Sequence, residues 1–404
     1  MRLLKLFSLV AIFTLLATYV KADQAPEAEF SNDWQTEEIA GGCFNKNTQA
    51  APEETLSEEK NSETQPANDV ILENEMIEEP YYDQGHSLKE EQLMQTYNFP
   101  ARIDVKEAWD VFLLADYIYW QQKERGLEYG LIVPANVATT DYKTAKMSFD
   151  YKSGFKVTLG TNFEHDNWTA LVEYVRLHGI HKSSFSAPTN GYITSFFIYN
   201  SNLTNNASKM KGRWSLSYDI LNVEFARPCY VGTQLTLRPY IGMTGGWINQ
   251  TMKTIGTYLT DTFTIYAKTY TNSWLIGPRF GLDTNWFLGA GFDLKADIAA
   301  GLPYQKIKSS FKQQSGYYSY SLAYRMSEKI SQITPEIEGT LGFGWGTYFN
   351  EHKWNFSCQA LYDFVYYFDQ NHMRKLADLQ LRQVKIKPND LILHGLTVAL
   401  RLDF

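Results

Sequence analysis

The sequence predicts an all-β protein, a transmembrane antiparallel β-barrel of about 12–16 strands. Three observations support this prediction: an export signal, apolar residues at every second position, and aromatic residues crowded at the ends of the alternating segments. Successive side chains of a strand point to opposite faces, so this period gives each strand one apolar and one polar face. Each observation is taken in turn below.

The first 22 residues have the features of a secretory signal peptide. The basic start MRLLK precedes the apolar segment LFSLVAIFTLLATYV, and Val20 and Ala22 supply small residues at positions −3 and −1 of a cleavage site. A membrane anchor is the weaker alternative, because a spanning helix needs about 20 apolar residues. We expect residues 1–22 to direct export.

The next segment, residues 23–97, is predicted to be disordered. Residues 23–99 contain 19 Asp and Glu against three Lys, with few apolar residues to offset the entropy of ordering the chain. We interpret the segment as a solvated linker, with an acidic tail that meets a partner or plugs a pore as the alternative. The formal net charge of −8 argues against nucleic-acid binding, although residues 100–404 carry 31 Lys and Arg against 26 Asp and Glu.

Residues 98–404 are predicted to form the barrel, because apolar and polar residues alternate through most of this region. In one segment Leu294, Ala296 and Ile298 share a face, and charged residues occupy the positions between them. Similar alternation marks residues 111–119, 155–163, 168–177, 235–241, 276–283, 292–304, 333–345 and 354–364.

Two local patterns refine this prediction. Residues 155–163 and 168–177 are predicted to form a hairpin with its turn at 165–167. Within 212–225 the apolar phase shifts by one residue, which indicates a bulge near Asp219 and Ile220 or two shorter segments.

A soluble β-sandwich also alternates, so further features are needed to identify the solvent on the apolar face. The segments run for roughly 10–14 residues, which is long for soluble proteins and sufficient for a tilted strand to cross a bilayer. Buried charges on the polar faces would be costly in a soluble core but not in an aqueous lumen. Aromatic residues at strand ends fit girdles at the two membrane interfaces: Tyr117, Tyr119, Trp120, Trp274, Trp286, Phe287, Trp354, Tyr366, Tyr367 and Phe368.

The polar faces supply the candidate pore-lining residues. These are Asp116, Arg238, Arg279, Asp293, Lys295, Asp297, Glu336, Glu338, Asp363, Arg401 and Asp403. Rings of charge in an open lumen tune ion selectivity. In a narrow, filled barrel the same charges would instead pair between strands, and the size of the barrel decides between these alternatives.

The last ten residues, GLTVALRLDF, are predicted to form the closing strand of the barrel. Leu400, Leu402 and Phe404 lie on its apolar face. They resemble the C-terminal signal that the outer-membrane assembly machinery reads, and an ordinary last strand that ends in Phe is the alternative.

Catalytic, cofactor and metal sites are not predicted. His178 and His181 lie three apart in a predicted loop without a neighbouring carboxylate or cysteine, and the sequence has no nucleophile elbow or phosphate loop. Cys43, Cys229 and Cys358 form no metal-binding spacing. A disulfide among them is left open, and their odd number leaves at least one thiol for another chain or for the reduced state.

Several segments resemble the major-outer-membrane-protein-like porins of Legionella and Chlamydia-related bacteria. The resemblance extends over about residues 98–404. The matching segments are LADYIYWQQKERGLEYG (114–130), SGFKVTLGTNF (153–163), LTLRPYIGM (235–243), GPRFGLDTNWFLGAGFDLKA (277–296) and DLILHGLTVALRLDF (390–404). The resemblance implies an abundant, pore-forming barrel of the bacterial outer membrane, a class in which disulfides cross-link the envelope.

The predicted function is therefore that of a porin, which allows small hydrophilic solutes or ions to diffuse across the outer membrane. Its expected partners are outer-membrane lipid, the barrel assembly machinery and, as homo-oligomers or through disulfides, other envelope proteins. One alternative is an adhesin or structural envelope protein with a closed barrel, acting through predicted loops at 178–211 and 370–388. A barrel hydrolase is the other.

Overall fold

The computed structural model describes residues 103, 105, 109–135, 142–163, 167–198, 206–258, 264–315, 321–376 and 387–404. All of them belong to the unit Pro80–Phe404. The predicted signal peptide, the acidic segment and Cys43 lie outside the described residues. Among the described residues, no helix is long and apolar enough to cross a membrane.

The described residues form one antiparallel sheet of sixteen strands. The strands are β1 Val111–Glu124, β2 Gly130–Val133, β3 Lys143–Ala145, β4 Tyr151–Asn162, β5 Thr169–Ser186, β6 Tyr192–Ser195, β7 Asn206–Ala226, β8 Cys229–Tyr230, β9 Leu235–Tyr258, β10 Thr264–Gly289, β11 Phe292–Gly301, β12 Tyr304–Ser315, β13 Ser321–Ile333, β14 Glu336–Phe349, β15 Trp354–Asn371 and β16 Asn389–Asp403. The predicted hairpin of 155–163 and 168–177 is confirmed by the pairing of β4 with β5.

The sheet closes on itself, because the last strand pairs with the first. Within the described residues, the closed ring consists of ten strands: β1, β4, β5, β7, β9, β10, β11, β14, β15 and β16. Closure leaves no unpaired strand edge in the ring, as a strand that crosses hydrocarbon requires. The predicted antiparallel barrel is therefore confirmed. The sixteen strands fall within the predicted range, but the ring itself is narrower than this number suggests.

The difference between sixteen and ten has two causes. Strands β12 and β13 continue β11 and β14 beyond Pro303 and Pro335, and proline cannot donate a hydrogen bond to the ladder. The long strand β10 pairs with β11 through one part and with β12 through the other. The short strands β2, β3, β6 and β8 lie in the connections between ring strands.

The two ends of the barrel differ in their connections. Short turns join β4 to β5, β7 to β9, β10 to β11 and β14 to β15 at the end where Val111 pairs with Phe404. The three longest connections, from β1 to β4, β5 to β7 and β15 to β16, lie at the opposite end, together with the five-residue connections from β9 to β10 and from β12 to β13. Outer-membrane barrels have short periplasmic turns and longer extracellular loops, so the end with short turns is the periplasmic end.

The half of the wall nearer the periplasm exposes a belt of apolar side chains to the outside. Exposed members include Phe155, Val157, Ile241, Met243, Ile276, Phe280, Ile298, Leu341, Phe343, Val398 and Leu400. On β10, Trp274 and Trp286 mark the two edges of this belt, and both are exposed. Their twelve-residue separation corresponds to about 30 Å along the membrane normal at a tilt of about 40°, the thickness of the hydrocarbon core.

The predicted aromatic girdles are only partly correct. Tyr117, Tyr119 and Trp274 are exposed on the outer face. Trp120 and Tyr367, in contrast, are buried on the inward face, so their assignment to a girdle was wrong. Each lies beside outward-facing aromatic residues, and the sequence pattern did not separate the two faces at these strand ends.

The extracellular half of the barrel interior is packed with apolar side chains, which we call the apolar plug. The plug combines ring-strand residues with residues of the extracellular connections: Ile118, Trp120, Leu127, Tyr129, Met147, Ile193, Phe197, Met210, Trp214, Tyr218, Met252, Phe311 and Tyr367. It explains the phase shift in β7. Trp214, Leu216 and Tyr218 face the plug, whereas Leu221, Val223 and Phe225 face outward. The pairing of β7 is continuous here, so the predicted bulge was wrong.

The predicted loop at 178–211 was also wrong over much of its length. Residues up to Ser186 belong to β5 and those from Asn206 belong to β7, so only 187–205 connects the two ring strands. His178 and His181 therefore lie on opposite faces of one strand. His178 bonds Asp219 on the outer face at 2.9 Å, and His181 stacks on Trp214 inside the barrel.

Candidate functional site: the barrel lumen

A cavity of about 560 Å³, which we call the chamber, occupies the lumen on the periplasmic side of the apolar plug. Its lining reaches the periplasmic rim at Pro228, Gly291 and Tyr348. Nine of the predicted pore-lining residues contribute to it: Asp116, Arg238, Arg279, Asp293, Lys295, Asp297, Glu338, Asp363 and Arg401.

The first charge cluster of the chamber is centred on two arginines. Arg279 of β10 pairs with Glu224 of β7 and, at 2.5 Å, with Glu338 of β14. Arg238 of β9 contacts Glu224 at 3.3 Å and also pairs with Asp283 of β10. Five side chains from four strands are therefore linked. Because each arginine is held by two carboxylates, its planar guanidinium is fixed in position.

An aromatic ring supports this cluster. The guanidinium groups of Arg279 and Arg238 lie 5.2 Å and 5.7 Å from the ring centre of Tyr240. The Tyr240 hydroxyl donates to Oδ1 of Asp297 at 3.2 Å. Asp297 lies directly opposite Asp283 in the register of β10 and β11, so two carboxylates adjoin at this point. Cation–π contacts of this kind strengthen when the groups are withdrawn from water.

The second cluster lies on the opposite part of the wall. Nζ of Lys156 donates to Oδ2 of Asp363 at 2.8 Å, and the hydroxyls of Thr397 and Thr340 donate to the same carboxylate at 2.6 Å and 2.8 Å. The indole of Trp120 donates to Thr397 and lies 4.8 Å beneath Lys156 Nζ. Donors from β4, β14 and β16 thus converge on Asp363 of β15, which is buried.

Two ion pairs, each between residues of the same strand, lie near the periplasmic rim. Lys295 contacts Asp293 at 3.2 Å on β11, and Arg401 contacts Asp403 at 2.7 Å on β16. Both are neighbours two apart on one face of a strand. Arg401 also lies 4.2 Å from the ring centre of Phe112.

All eleven predicted residues are on the inward side of their strands, but two lie apart from the chamber lining. Glu336 is buried near Gly301 at the level of Tyr367, and Asp403 is buried beside Arg401. Whether any of them lines a path for solutes stays a prediction. The sequence analysis missed three charged residues of the clusters: Lys156, Glu224 and Asp283. Lys156 and Glu224 each lie between two apolar residues, and Asp283 lies four residues after Arg279 on the same face of β10, so the same period-two signal could have identified them.

The lumen closes where the chamber meets the apolar plug. Tyr218 of β7 and Tyr367 of β15 are five positions apart on the ten-strand ring and therefore lie on opposite walls. Their hydroxyls are 3.1 Å apart, and both side chains are buried. Close by, Gln250 of β9 donates to Glu124 of β1 at 3.1 Å and to Gln370 of β15 at 2.7 Å. Side chains from facing walls thus meet across the lumen.

The cysteine and C-terminal predictions concern other parts of the wall. Cys229 is exposed on β8 at the periplasmic rim, and Cys358 lies half-buried on the outer face of β15; both are free thiols. Leu400 is exposed on the outer face of β16, and the ring of Phe404 stacks on Trp354 at 5.6 Å. Neither cross-linking nor recognition by the assembly machinery is tested by these positions, and both stay predictions.

A closed antiparallel barrel with an apolar outer belt and a charged interior defines the class of bacterial outer-membrane β-barrels. The family model described as Legionella pneumophila major outer membrane protein precursor matches residues 103–404. The chain therefore belongs to this family, as the resemblance predicted, and its place is the bacterial outer membrane. A search of the curated proteins found no match.

Solved outer-membrane barrels are similar to the chain at low sequence identity. The outer membrane protease OmpT from Escherichia coli has 10% identity and a TM-score of 0.41, covering 76% of this chain and 100% of its own. The translocator domain of the autotransporter NalP from Neisseria meningitidis has 9% identity and a TM-score of 0.27, covering 79% and 95%. A Pseudomonas aeruginosa FadL homologue has 9% identity and a TM-score of 0.26, covering 77% and 93%.

Proposed function

We propose that the protein is a structural component of the outer membrane whose barrel is closed at rest. It acts at the envelope surface through its outer wall and extracellular connections, without catalysing a reaction. The contact between Tyr218 and Tyr367 across the lumen carries this proposal. An open diffusion pore needs a continuous aqueous path, and this contact and the apolar plug interrupt it.

The charges of the chamber support the same function. In an open pore, charged groups face water and remain free to attract passing ions. Here Arg279 and Asp363 are each held by several partners from different strands. Such links brace the wall from within, and a closed barrel uses them for stability rather than for selectivity.

Conductance across a planar lipid bilayer tests the proposal. The detergent-folded protein, residues 23–404, is expected to insert without producing stable conductance steps. Migration of the unheated protein ahead of the boiled protein on a gel provides the control for folding. Stable steps from the folded wild-type protein contradict a closed barrel.

The second candidate is the predicted porin function, with diffusion of small hydrophilic solutes or ions through a gated lumen. The chamber favours it, because a cavity of about 560 Å³ with charged residues in its lining is more than a fully packed barrel requires. Under this alternative the apolar plug moves aside. Steps in the wild-type protein support it, and the charge reversal Lys295→Glu is then expected to shift the ion selectivity.

A variant set separates the two candidates further. The changes Tyr218→Ala, Gln250→Ala and Tyr367→Ala together remove three of the five side chains that meet across the lumen and every hydrogen bond described between them. We expect this triple variant to conduct where the wild-type protein is silent. The matched control, Tyr117→Ala with Tyr362→Ala, removes exposed tyrosines from the outer face and is expected to stay silent.

A further inference from the structure

The lining of the chamber carries more negative than positive charge. It contains eight carboxylates and five cations, which leaves a surplus of three negative charges when all of them are ionised. The cation–carboxylate pairs are Lys156 with Asp363, Arg238 with Glu224 and Asp283, Arg279 with Glu224 and Glu338, Lys295 with Asp293, and Arg401 with Asp403. Within the part of the chain that the structure describes, Asp116 of β1, Glu173 of β5 and Asp297 of β11 form no ion pair.

Asp116 is the clearest sign that the lining lacks a partner. The residue is 9% exposed, and its Oδ1 has no hydrogen-bond partner among the described residues. Lys156 lies directly opposite Asp116 in the register of β1 and β4, but Nζ of Lys156 donates to Asp363. An ionised carboxylate withdrawn from water is costly unless a cation or several donors compensate it. The position of Asp116 therefore favours a ligand that supplies positive charge.

The buried side-chain atoms of the lining that have no hydrogen-bond partner in the described structure are mostly acceptors. They are Oδ1 of Asp116, Oδ1 of Asn285, Oδ1 of Asn355, Oγ of Ser357 and Nε of Arg279. Three of these five atoms can only accept, the hydroxyl of Ser357 can accept or donate, and Nε of Arg279 can only donate. A ligand that fits this lining must therefore mainly donate hydrogen bonds, as ammonium groups do.

The three carboxylates without an ion pair lie on two separate parts of the wall. Glu173 and Asp297 each accept from a neutral donor, Asn222 at 3.0 Å and the hydroxyl of Tyr240 at 3.2 Å. Asp116 and Glu173 are two positions apart on the ten-strand ring, whereas Asp297 is four positions from either of them, almost across the lumen. Among the described residues, no three His, Cys, Asp or Glu side chains are grouped so that they could hold a metal ion. The spacing instead fits an organic cation with two or more separated charges.

Asp116 and Asp297 also lie at about the same depth in the chamber. One circuit of the ring along the register leads from Trp274 to Trp286, so the register descends by about 3 Å per strand towards the periplasm. The path from Asp116 through β16, β15 and β14 reaches Asp293 and descends about 12 Å. Asp297 is four residues nearer the plug, which regains about 10 Å along the membrane normal. One extended ligand can therefore contact both carboxylates.

We propose that the chamber binds a linear aliphatic amine with at least two ammonium groups, which enters from the periplasmic side. One ammonium group contacts Asp116 and Glu173, and another contacts Asp297. Leu361 and Ala399 of the lining, on strands between Asp116 and Asp297, provide apolar contacts for the carbon chain. The lining reaches the periplasmic rim, and the chamber lies on the periplasmic side of the apolar plug. Binding is therefore independent of whether the barrel conducts.

Calorimetric titration of the detergent-folded protein at pH 7 tests this proposal. The main probe is putrescine, a four-carbon chain with an amine at each end. Butylamine and butanediol have the same chain with one charge and with none, and magnesium chloride supplies a compact dication. The test variants are Asp116→Asn, Asp297→Asn and their combination. The matched control combines Glu351→Gln with Asp369→Asn, which neutralises two exposed carboxylates outside the chamber lining.

Wild-type protein and the control variant are expected to bind putrescine at least about tenfold more tightly than butylamine or magnesium, and not to bind butanediol. Each single test variant should bind putrescine about tenfold more weakly, and the double variant about 100-fold, because each change removes one hydrogen bond between charged groups. The test variants lose surplus charge and should remain heat-modifiable. The comparison of probes on the wild-type protein needs no variant to fold.

Four results contradict the proposal. Folded wild-type protein that does not bind putrescine would mean that protons neutralise the three carboxylates. Equal binding of butanediol would show that the chamber selects hydroxyl or amine donors without regard to charge. Tighter binding of magnesium would indicate a compact site for a metal ion. Undiminished binding by the folded double variant would place putrescine elsewhere on the protein.

Discussion

The same long strands run through the membrane half and the extracellular half of this barrel. Their apolar side chains face outward in the membrane half and inward in the extracellular half. On β9, Ile241 is exposed on the apolar outer belt, and the side chains between such residues face the charged chamber. Further along the same strand Met252 is buried inside and Lys253 faces outward. An alternating pattern therefore shows that a strand has two unlike faces, but the surrounding solvent decides which face is inside.

The first prediction concerns a lysine introduced into the apolar plug. Met252→Lys introduces an unpaired charge among packed apolar side chains, and we expect a loss of about 4 kcal/mol or more in the free energy of unfolding. Urea unfolding of the detergent-folded protein measures it. Thr251→Lys, which adds a charge to the outer face beside it, should cost about 0.5 kcal/mol or less. Equal effects of the two changes would show that the plug is not packed.

A second prediction breaks the charge clusters of the chamber. Arg279→Met leaves Glu224 and Glu338 without their shared partner and should cost about 3 kcal/mol in the same unfolding measurement. Combining it with Glu224→Gln and Glu338→Gln should recover most of this loss, because the uncompensated carboxylates are then neutral. An Arg279→Met variant as stable as the wild-type protein would mean that water replaces the arginine in the chamber.

The third prediction concerns the lipid-facing belt. Ile241→Lys places a charge near the middle of the outer belt on β9 and should cost about 2 kcal/mol, the lower part of the range for the bilayer midplane. The cost should be smaller than for Met252→Lys because a long side chain on the lipid face can reach towards the interface. Unfolding in lipid vesicles rather than detergent is the appropriate measurement. A neutral result would place Ile241 outside the membrane.

Much of the fold could be predicted from the sequence because period-two alternation is a local property. It gave the antiparallel barrel, the inward direction of Arg279 and Asp363, and the outward direction of Leu400. Contacts between Tyr218 and Tyr367 are different, since these residues are 149 positions apart and meet only after the ring closes. No local pattern reports such a contact.

Two errors of the sequence analysis share one physical origin. A single polarity was assumed for the whole length of each strand, so the inversion in β7 was interpreted as a bulge. For the same reason Trp120 and Tyr367 were placed in the girdles, although both face the interior. The size of the ring could not be predicted either, because the breaks at Pro303 and Pro335 divide single ring positions into two strands.

The most direct test of the inverted polarity is a cysteine scan along β9. In a protein with Cys43, Cys229 and Cys358 changed to Ser, single cysteines at positions 236–257 are treated on intact cells with a membrane-impermeant maleimide. We predict labelling at odd positions 249–257, on the outer face, and no labelling at even positions 248–254, inside the plug. Labelling of those even positions from outside would reveal an open lumen and contradict the closed, inverted barrel.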